Sequence, residues 1–328
     1  MRAAWYERFG AAEDVLVVGQ QPDPVVGPGE VLVRIKASGI NPSDVKRRAV
    51  DLEGFGGKFP LVIPHSDGAG IVEAVGPNVD RDRVGERVWT WNAQWQRPFG
   101  TAAEFVALPA EQAVRLPDHV SFESGGCLGI PAQAAHRAVF ADGPVTGQTI
   151  LITGGAGVVG RFAIQLAKWG GARVITTVSG PEKASHAKSA GADLVIDYRR
   201  EDIVKTVMAD TSGAGVDRVI DVEFGGNLPV TCQVLRNNGV VVAYGSVAEP
   251  NPILPFYTMM FKAHTIRLVV VYLLPSAARR DAIADITARL EAKALHPDVG
   301  TVLPLDEIAH GHHLVERSAV VGKVILRM

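Results

Sequence analysis

Gly147–Lys168 reads GQTILITGGAGVVGRFAIQLAK. Thr149–Thr153 is a short apolar run that predicts a strand. Gly154 follows, and Gly155-Ala156-Gly157-Val158-Val159-Gly160 completes a G-x-G-x-x-G. Arg161–Trp169, apolar at Phe162, Ile164, Leu166 and Ala167, predicts a helix. Strand, glycine turn and helix form the context in which this motif binds a pyrophosphate. The glycines permit a tight turn and close backbone approach, and the helix offers unpaired N–H groups and its positive dipole end. The alternative is a glycine turn that only packs a helix on a strand; the βαβ pattern around it favours a dinucleotide. No Lys-Ser/Thr ends the loop, which disfavours a P-loop NTPase.

Outward from this stretch, strands are expected at Arg173–Val178, Leu194–Ile196, Val216–Val222 and Val240–Gly245, with a helix at Pro181–Ala190. Strands alternating with helices mean a parallel sheet, so the fold class is α/β, with a doubly wound domain at 122–264. Residues 1–121 read mainly as β, with strands at Val31–Ala37, Ile71–Val75 and Arg87–Trp91 and a long irregular loop near Val50–Pro64. A helical stretch is expected near Phe122–Phe140. The tail 265–328 mixes α and β, ends in a strand at Val320–Leu326, and is short for a domain of its own. It is expected to join residues 1–121, with the nucleotide-type domain inserted between.

NAD enzymes usually end the second strand on Asp or Glu, which holds the ribose 2′-OH. Here Val178 is followed by Ser179, and Lys183 lies a helical turn on. A serine hydroxyl and an ammonium suit a 2′-phosphate, which favours NADP(H). The alternative makes Ser179 a helix cap and Lys183 a solvated charge.

Composition narrows the function classes. The 328 residues are 47% hydrophobic and 21% charged with net charge −2, which gives no basic surface for nucleic acid and no membrane-binding patch. The most apolar runs, such as Val269–Leu274, are far short of a membrane span, and Met1–Gly10 has no targeting pattern, so a cytoplasmic protein is expected. Two cysteines, Cys127 and Cys232, exclude a disulfide scaffold and a four-cysteine zinc site.

Gly147–Lys168 closely resembles the signature of zinc-independent, zeta-crystallin-like quinone oxidoreductases of the medium-chain dehydrogenase/reductase superfamily. Pro28–Val33 (PGEVLV), Ser38–Asp44 (SGINPSD), Pro64–Gly76 (PHSDGAGIVEAVG), Gly85–Val88 and Gly322–Leu326 (GKVIL) match as well. The resemblance implies a Rossmann domain inserted in a mostly β, GroES-like catalytic domain, a homodimer, and a cofactor in the cleft. It assigns the 2′-phosphate to Ser179, Lys183 and Tyr198. It puts Gly245, Ser246, Val270 and Val271 at the nicotinamide half, and Lys323 among the cofactor-binding residues.

Zinc relatives carry G-I-C-G-S/T-D where this chain has Gly39-Ile40-Asn41-Pro42-Ser43-Asp44, and G-H-E where it has His65-Ser66-Asp67. The ligand positions thus hold Asn41 and Ser66, and His65 sits one place off. Cys127 lies near the third ligand region, but one thiol cannot hold Zn²⁺. His310, His312 and His313 are expected on a surface helix between Leu305 and Val315. Asn41, Asp44 and Lys46 are the candidate catalytic residues: Asn41 as an amide donor, Asp44 as loop orienter or acid, Lys46 as a proton donor. An Asx-Pro turn is the structural alternative for the first two. A Tyr that many relatives carry is replaced within Val45-Lys46-Arg47, and a Thr by Ala134. Trp89 and Trp91, with Trp95 nearby, are expected on one strand face, as core or as an aromatic-substrate wall. The expected activity is metal-free hydride transfer from NADPH to a quinone or α,β-unsaturated carbonyl. A zinc-type alcohol dehydrogenase and a non-catalytic NADPH-binding protein are the alternatives.

Overall fold

The computed structural model describes residues 1–51 and 58–328, so residues 52–57 of the loop expected near Val50–Pro64 lie outside the described residues. The chain divides into two compact units, Met1–Pro131 with Ile283–Met328, and Ala132–Ala282.

Ala132–Ala282 is built on a six-stranded sheet in the order Leu194–Asp197, Arg173–Val178, Thr149–Ile152, Val216–Asp221, Leu235–Ala243, Thr265–Leu268. Every neighbouring pair is parallel. The first strand lies mid-sheet, and the order reverses between it and Val216–Asp221, which is the Rossmann arrangement with its switch point. Central strands read as continuous apolar runs because helices cover both faces: Ile150, Leu151, Ile152, Val174 and Ile175 are fully buried. The helix after the first strand spans Val158–Trp169, starting before the expected Arg161 because Gly157 is already its N-cap. It buries Phe162, Ala163, Ile164, Leu166 and Ala167.

Two expectations differ from the structure here. Leu235–Ala243 starts earlier than Val240, with a register break where Asn238 takes a left-handed φ of 60°. Thr265–Leu268, read as the start of the other domain, instead pairs with Leu235–Ala243 as the sixth strand. The second boundary accordingly falls at Ala282 rather than His264, and the first at Pro131 rather than Ser121.

The other unit carries a seven-stranded sheet. Its order is Val299–Pro304, Lys323–Arg327, Glu30–Gly39, Asp67–Val75, Arg87–Thr90 and Ala113–Arg115, with Phe105–Pro109 also on Glu30–Gly39. Glu30–Gly39 is the hub: Val31, Val33, Ile35 and Ala37 alternate inward and are buried. The C-terminal strand pairs antiparallel with it, Ile325 opposite Gly39 and Arg327 opposite Ala37. On its other side Gly39 is opposite Asp67. Strand Arg87–Thr90 ends before Trp91, so the two tryptophans do not share a strand face as expected. Trp89 is fully buried between Ala69 and Val114, its cross-strand partners, and is a core residue.

Candidate active site

In the Rossmann unit the three motif glycines have different neighbours. A Cβ at Gly155 would lie 2.0 Å from Thr176 Oγ1, and one at Gly160 would lie 2.4 Å from the Gly154 carbonyl oxygen. These two let the turn close and the helix pack. A Cβ at Gly157 would meet only the Gly154 oxygen, at 3.3 Å, so this glycine leaves open space beside the loop. Gly154 is left-handed, φ 66°. The first intrahelical bond runs from Arg161 N–H to Gly157 O at 2.8 Å, so the N–H groups of Val158, Val159 and Gly160 have no partner within the helix. Together with Ala156, these residues form a backbone cradle of unpartnered N–H groups, the kind of surface an anion requires.

Lys183 Nζ donates to Ser179 Oγ at 3.2 Å, so the structure brings this expected pair together. Tyr198 is half exposed, and its N–H bonds Val178 O at 3.2 Å, which puts it beside the same strand end. Gly245 passes Val222 too closely for a side chain: a Cβ would lie 2.4 Å from the Val222 oxygen. Ser246 Oγ accepts from Gly225 N–H at 2.9 Å. Two residues that sequence reasoning missed hold these turns. Glu223 accepts from the N–H groups of Val247 and Ala248 at 2.7 and 3.0 Å. Arg279, buried, donates to Val271 O and to Gln133 Oε1, both at 2.7 Å, and so fixes the backbone beside the half-exposed Val270.

In the other unit a buried polar cluster sits where Glu30–Gly39 ends. Continuing the register of the C-terminal strand brings Lys323 level with Asn41, and Ile40 N–H bonds Val324 O at 3.0 Å. Gly39 has no room for a side chain, since a Cβ would lie 2.1 Å from Gly126 O and 2.9 Å from Lys323 Cε. Lys323 is buried and its ammonium donates to Asn41 Oδ1 and, at 3.0 Å, to Asp67 Oδ2. Asn41 Nδ2 donates to the same Asp67 oxygen at 2.9 Å. Asp67 Oδ1 accepts from Ile130 N–H at 2.7 Å, near the start of helix Gly129–Phe140. A Cβ at Gly129 would lie 2.2 Å from that oxygen, so glycine is what admits the carboxylate. Burial pushes the Asp67 pKa up, while Lys323, the Asn41 amide and the Ile130 N–H pull it down. On balance burial wins and the pKa is raised, but all three neighbours present donors to its oxygens and Lys323 pairs with it at 3.0 Å.

Asn41 caps helix Pro42–Ala49, and Asp44 returns its carboxylate to the Asn41 N–H at 2.7 Å. The Asx-Pro turn and the candidate catalytic position are thus one feature. Burial, with the negative charge of Asp67, pushes Asp44 up to about 7. Lys46 is exposed on this helix and has no bond to Asn41 or Asp44.

His65 does turn away from the ligand position. It has a left-handed φ of 78°, and its Nδ1 meets Ser38 Oγ at 2.9 Å while its Nε2 meets His312 Nε2 at 3.0 Å. His312 is fully buried, which corrects the surface reading of His310–His313. The cause is the close seat of helix Ile308–Glu316: Gly311 has no room for a side chain, as a Cβ would lie 2.7 Å from Ile40 Cδ1. Directions in this chain are forced. Thr101 Oγ1 donates to Asp67 O, so Ser38 donates to Thr101 and His65 Nδ1–H donates to Ser38. His65 Nε2 must then accept from His312 Nε2–H. Burial, with the positive charges of Arg48 and His313, lowers His312 to about 3. Cys127 is buried, and burial pushes its thiol up to about 12. Among the described residues no three His, Cys, Asp or Glu side chains converge as metal ligands would. No helix of the described residues is long and apolar enough to cross a membrane.

Comparison with known proteins places both units. Residues 27–118 match the alcohol dehydrogenase GroES-like domain, and residues 158–288 the zinc-binding dehydrogenase family. Human quinone oxidoreductase is 29% identical over 333 residues, 99% of this chain and 97% of that one. A solved NAD-dependent alcohol dehydrogenase superposes with a TM-score of 0.89 at 30% identity, over 100% of both chains. A mycobacterial protein solved with NADPH superposes with a TM-score of 0.88 at 28% identity, also over 100% of both. The chain belongs to the medium-chain dehydrogenase/reductase superfamily, in its quinone oxidoreductase, zeta-crystallin-like branch, and is a nicotinamide-dependent oxidoreductase.

Proposed function

We propose that this chain reduces a quinone or an α,β-unsaturated carbonyl with NADPH and without a metal. The observation that carries it is the state of Asn41. At a position where zinc relatives have a ligand cysteine stands an amide bonded to a carboxylate and an ammonium. Ser66 stands at the second position, and the lone thiol of Cys127 cannot hold Zn²⁺ by itself.

The residues fit the cofactor. The cradle Gly154–Gly160 takes the pyrophosphate, and Ser179, Lys183 and Tyr198 take the 2′-phosphate. Gly245, Ser246, Val270 and Val271 border the nicotinamide half. When bound, the nicotinamide supplies the hydride. A conjugated acceptor is electrophilic already, so the protein need only stabilise the oxygen on which negative charge develops. The amide N–H of Asn41 that is not bonded to Asp67, which meets Asp44 in the unliganded chain, turns to the acceptor oxygen as that donor, and water supplies the proton. Asp44 fixes the Asn41 backbone, and Lys46 has no assigned part.

The chain also pairs with a second copy. Thr265–Leu268 is an edge strand. Ile253, Phe256, Tyr257, Phe261, Leu268 and Leu273, in this strand and in the segments just before and after it in sequence, stand exposed. Such an edge is normally covered. Light scattering should give a dimer for the native chain and a monomer for Leu268→Lys; a native monomer refutes the pairing.

The activity test is NADPH oxidation by chelator-treated protein with a quinone, an enone, and no acceptor, alongside alcohol oxidation with NADP⁺. We expect turnover with the conjugated acceptors and no stoichiometric zinc. Alcohol oxidation that requires bound zinc would establish the zinc-type alternative, and tight NADPH binding with no turnover the non-catalytic one.

A further inference from the structure

We propose that Lys323 is a positioning residue: with Asp67 it locks the Asn41 amide in one orientation, nitrogen available as a donor. This rests on the proposed role of Asn41 as the donor to the acceptor oxygen. An asparagine amide can flip by half a turn, exchanging a donor for an acceptor. Here the flip is forbidden by charge. An ammonium has only donors, so the atom facing Lys323 Nζ must be Oδ1. A carboxylate has only acceptors, so the atom 2.9 Å from Asp67 Oδ2 must be Nδ2. Flipping would set Nδ2 against the ammonium and Oδ1 against the carboxylate, two repulsive contacts in a buried site. Asn41, Asp67 and Lys323 are 3%, 0% and 2% exposed, so water cannot relieve them.

Asn41 Oδ1 is taken by Lys323 and one Nδ2–H by Asp67, and the side chain also meets Asp44. Asp67 is itself pinned by Ile130 N–H, and its carbonyl oxygen by Thr101. Each fixed point comes from a different segment, and the C-terminal strand delivers Lys323. Lys323, expected among the cofactor-binding residues, is buried on Asn41 and Asp67 instead, and acts on the acceptor only through Asn41.

Lys323→Met alone leaves the Asp67 carboxylate buried without its cation and is expected to destabilise the fold. The decisive variant is Asp67→Asn/Lys323→Met, which removes both charges together. We expect it to stay folded, with NADPH affinity and quinone KM within about threefold of the native chain, and kcat at least tenfold lower. Lys323→Arg, which keeps a cation with donors only, should recover part of kcat. A second readout needs no turnover: the Asn41 side-chain amide protons should exchange slowly in the native protein and at least tenfold faster in the double variant. Native kcat in a folded double variant, or unchanged amide exchange, overturns the positioning role. If the native chain shows no quinone turnover while Asn41 exchange still depends on Lys323, the positioning stands and the proposed activity falls.

Discussion

The proposed phosphate cradle and the Asn41 cluster are both proposed to meet negative charge, but they are built from different materials. The cradle uses backbone N–H groups from one short stretch, shaped by glycines. The cluster uses side chains of Asn41, Asp67 and Lys323, drawn from segments far apart in sequence and joined by strand register. The backbone site has no titratable part and depends on space. The side-chain site depends on charge balance, so it should respond to pH and to isosteric substitutions that a glycine turn would not notice.

The sharpest way to break this contrast is steric. Gly160→Ala puts a Cβ 2.4 Å from a main-chain oxygen that cannot rotate away. We expect NADPH affinity to fall by more than about a hundredfold, with a stability loss of at least ~2 kcal/mol. Gly157→Ala, with a single contact at 3.3 Å, should leave the melting temperature within about 2 °C and still weaken NADPH about tenfold. Titration calorimetry and thermal melts of the pair check both.

Next comes pH. The folded chain refuses a proton on His312 from 6.5 down to about 3, while the unfolded chain accepts it. Stability from this residue is present above 6.5 and lost as pH falls, with a slope of about 1.4 kcal/mol per pH unit. Asp44 acts in the opposite sense: the folded chain keeps its proton from 3.8 to about 7, so stability falls as pH rises through that window. Denaturant melts across pH should show His312→Gln flattening the acid loss and Asp44→Asn flattening the alkaline one. A slope unchanged in both variants would show that His312 and Asp44, the buried titratable groups bordering the cluster, do not set the pH response.

How much of this was legible follows from the same contrast. Arg173–Val178 matches its expected bounds, and the cradle matches its motif, because each is one continuous stretch with its own periodicity or glycine spacing. The sequence puts the sixth strand in the other unit because Thr265–Leu268 carries no mark of which sheet takes it; only main-chain pairing decides. Asn41 and Asp44 were visible through the Asn-Pro turn. The bond from Lys323 to Asn41 was not, since it requires knowing that the last strand lies antiparallel beside the hub. His312 had a readable signal that was missed: Leu305, Ile308 and Gly311-His312 recur at helical spacing, and all four are buried.

Smaller effects sharpen the cofactor side. Lys183→Ala should weaken NADPH about tenfold and change NADH by less than about twofold, because only NADPH carries the 2′-phosphate. Equal losses for both would remove Lys183 from that role. Tyr198→Phe, which keeps the ring and drops the hydroxyl, should cost NADPH only about threefold, read by the same titration.

The most direct measurement is kcat/KM for quinone reduction by metal-stripped protein, with NADPH and with NADH in parallel. We expect quinone-dependent oxidation of both, with NADPH favoured at least tenfold. No quinone-dependent NADPH oxidation, or NADH used as well as NADPH, would contradict metal-free, NADPH-specific reduction.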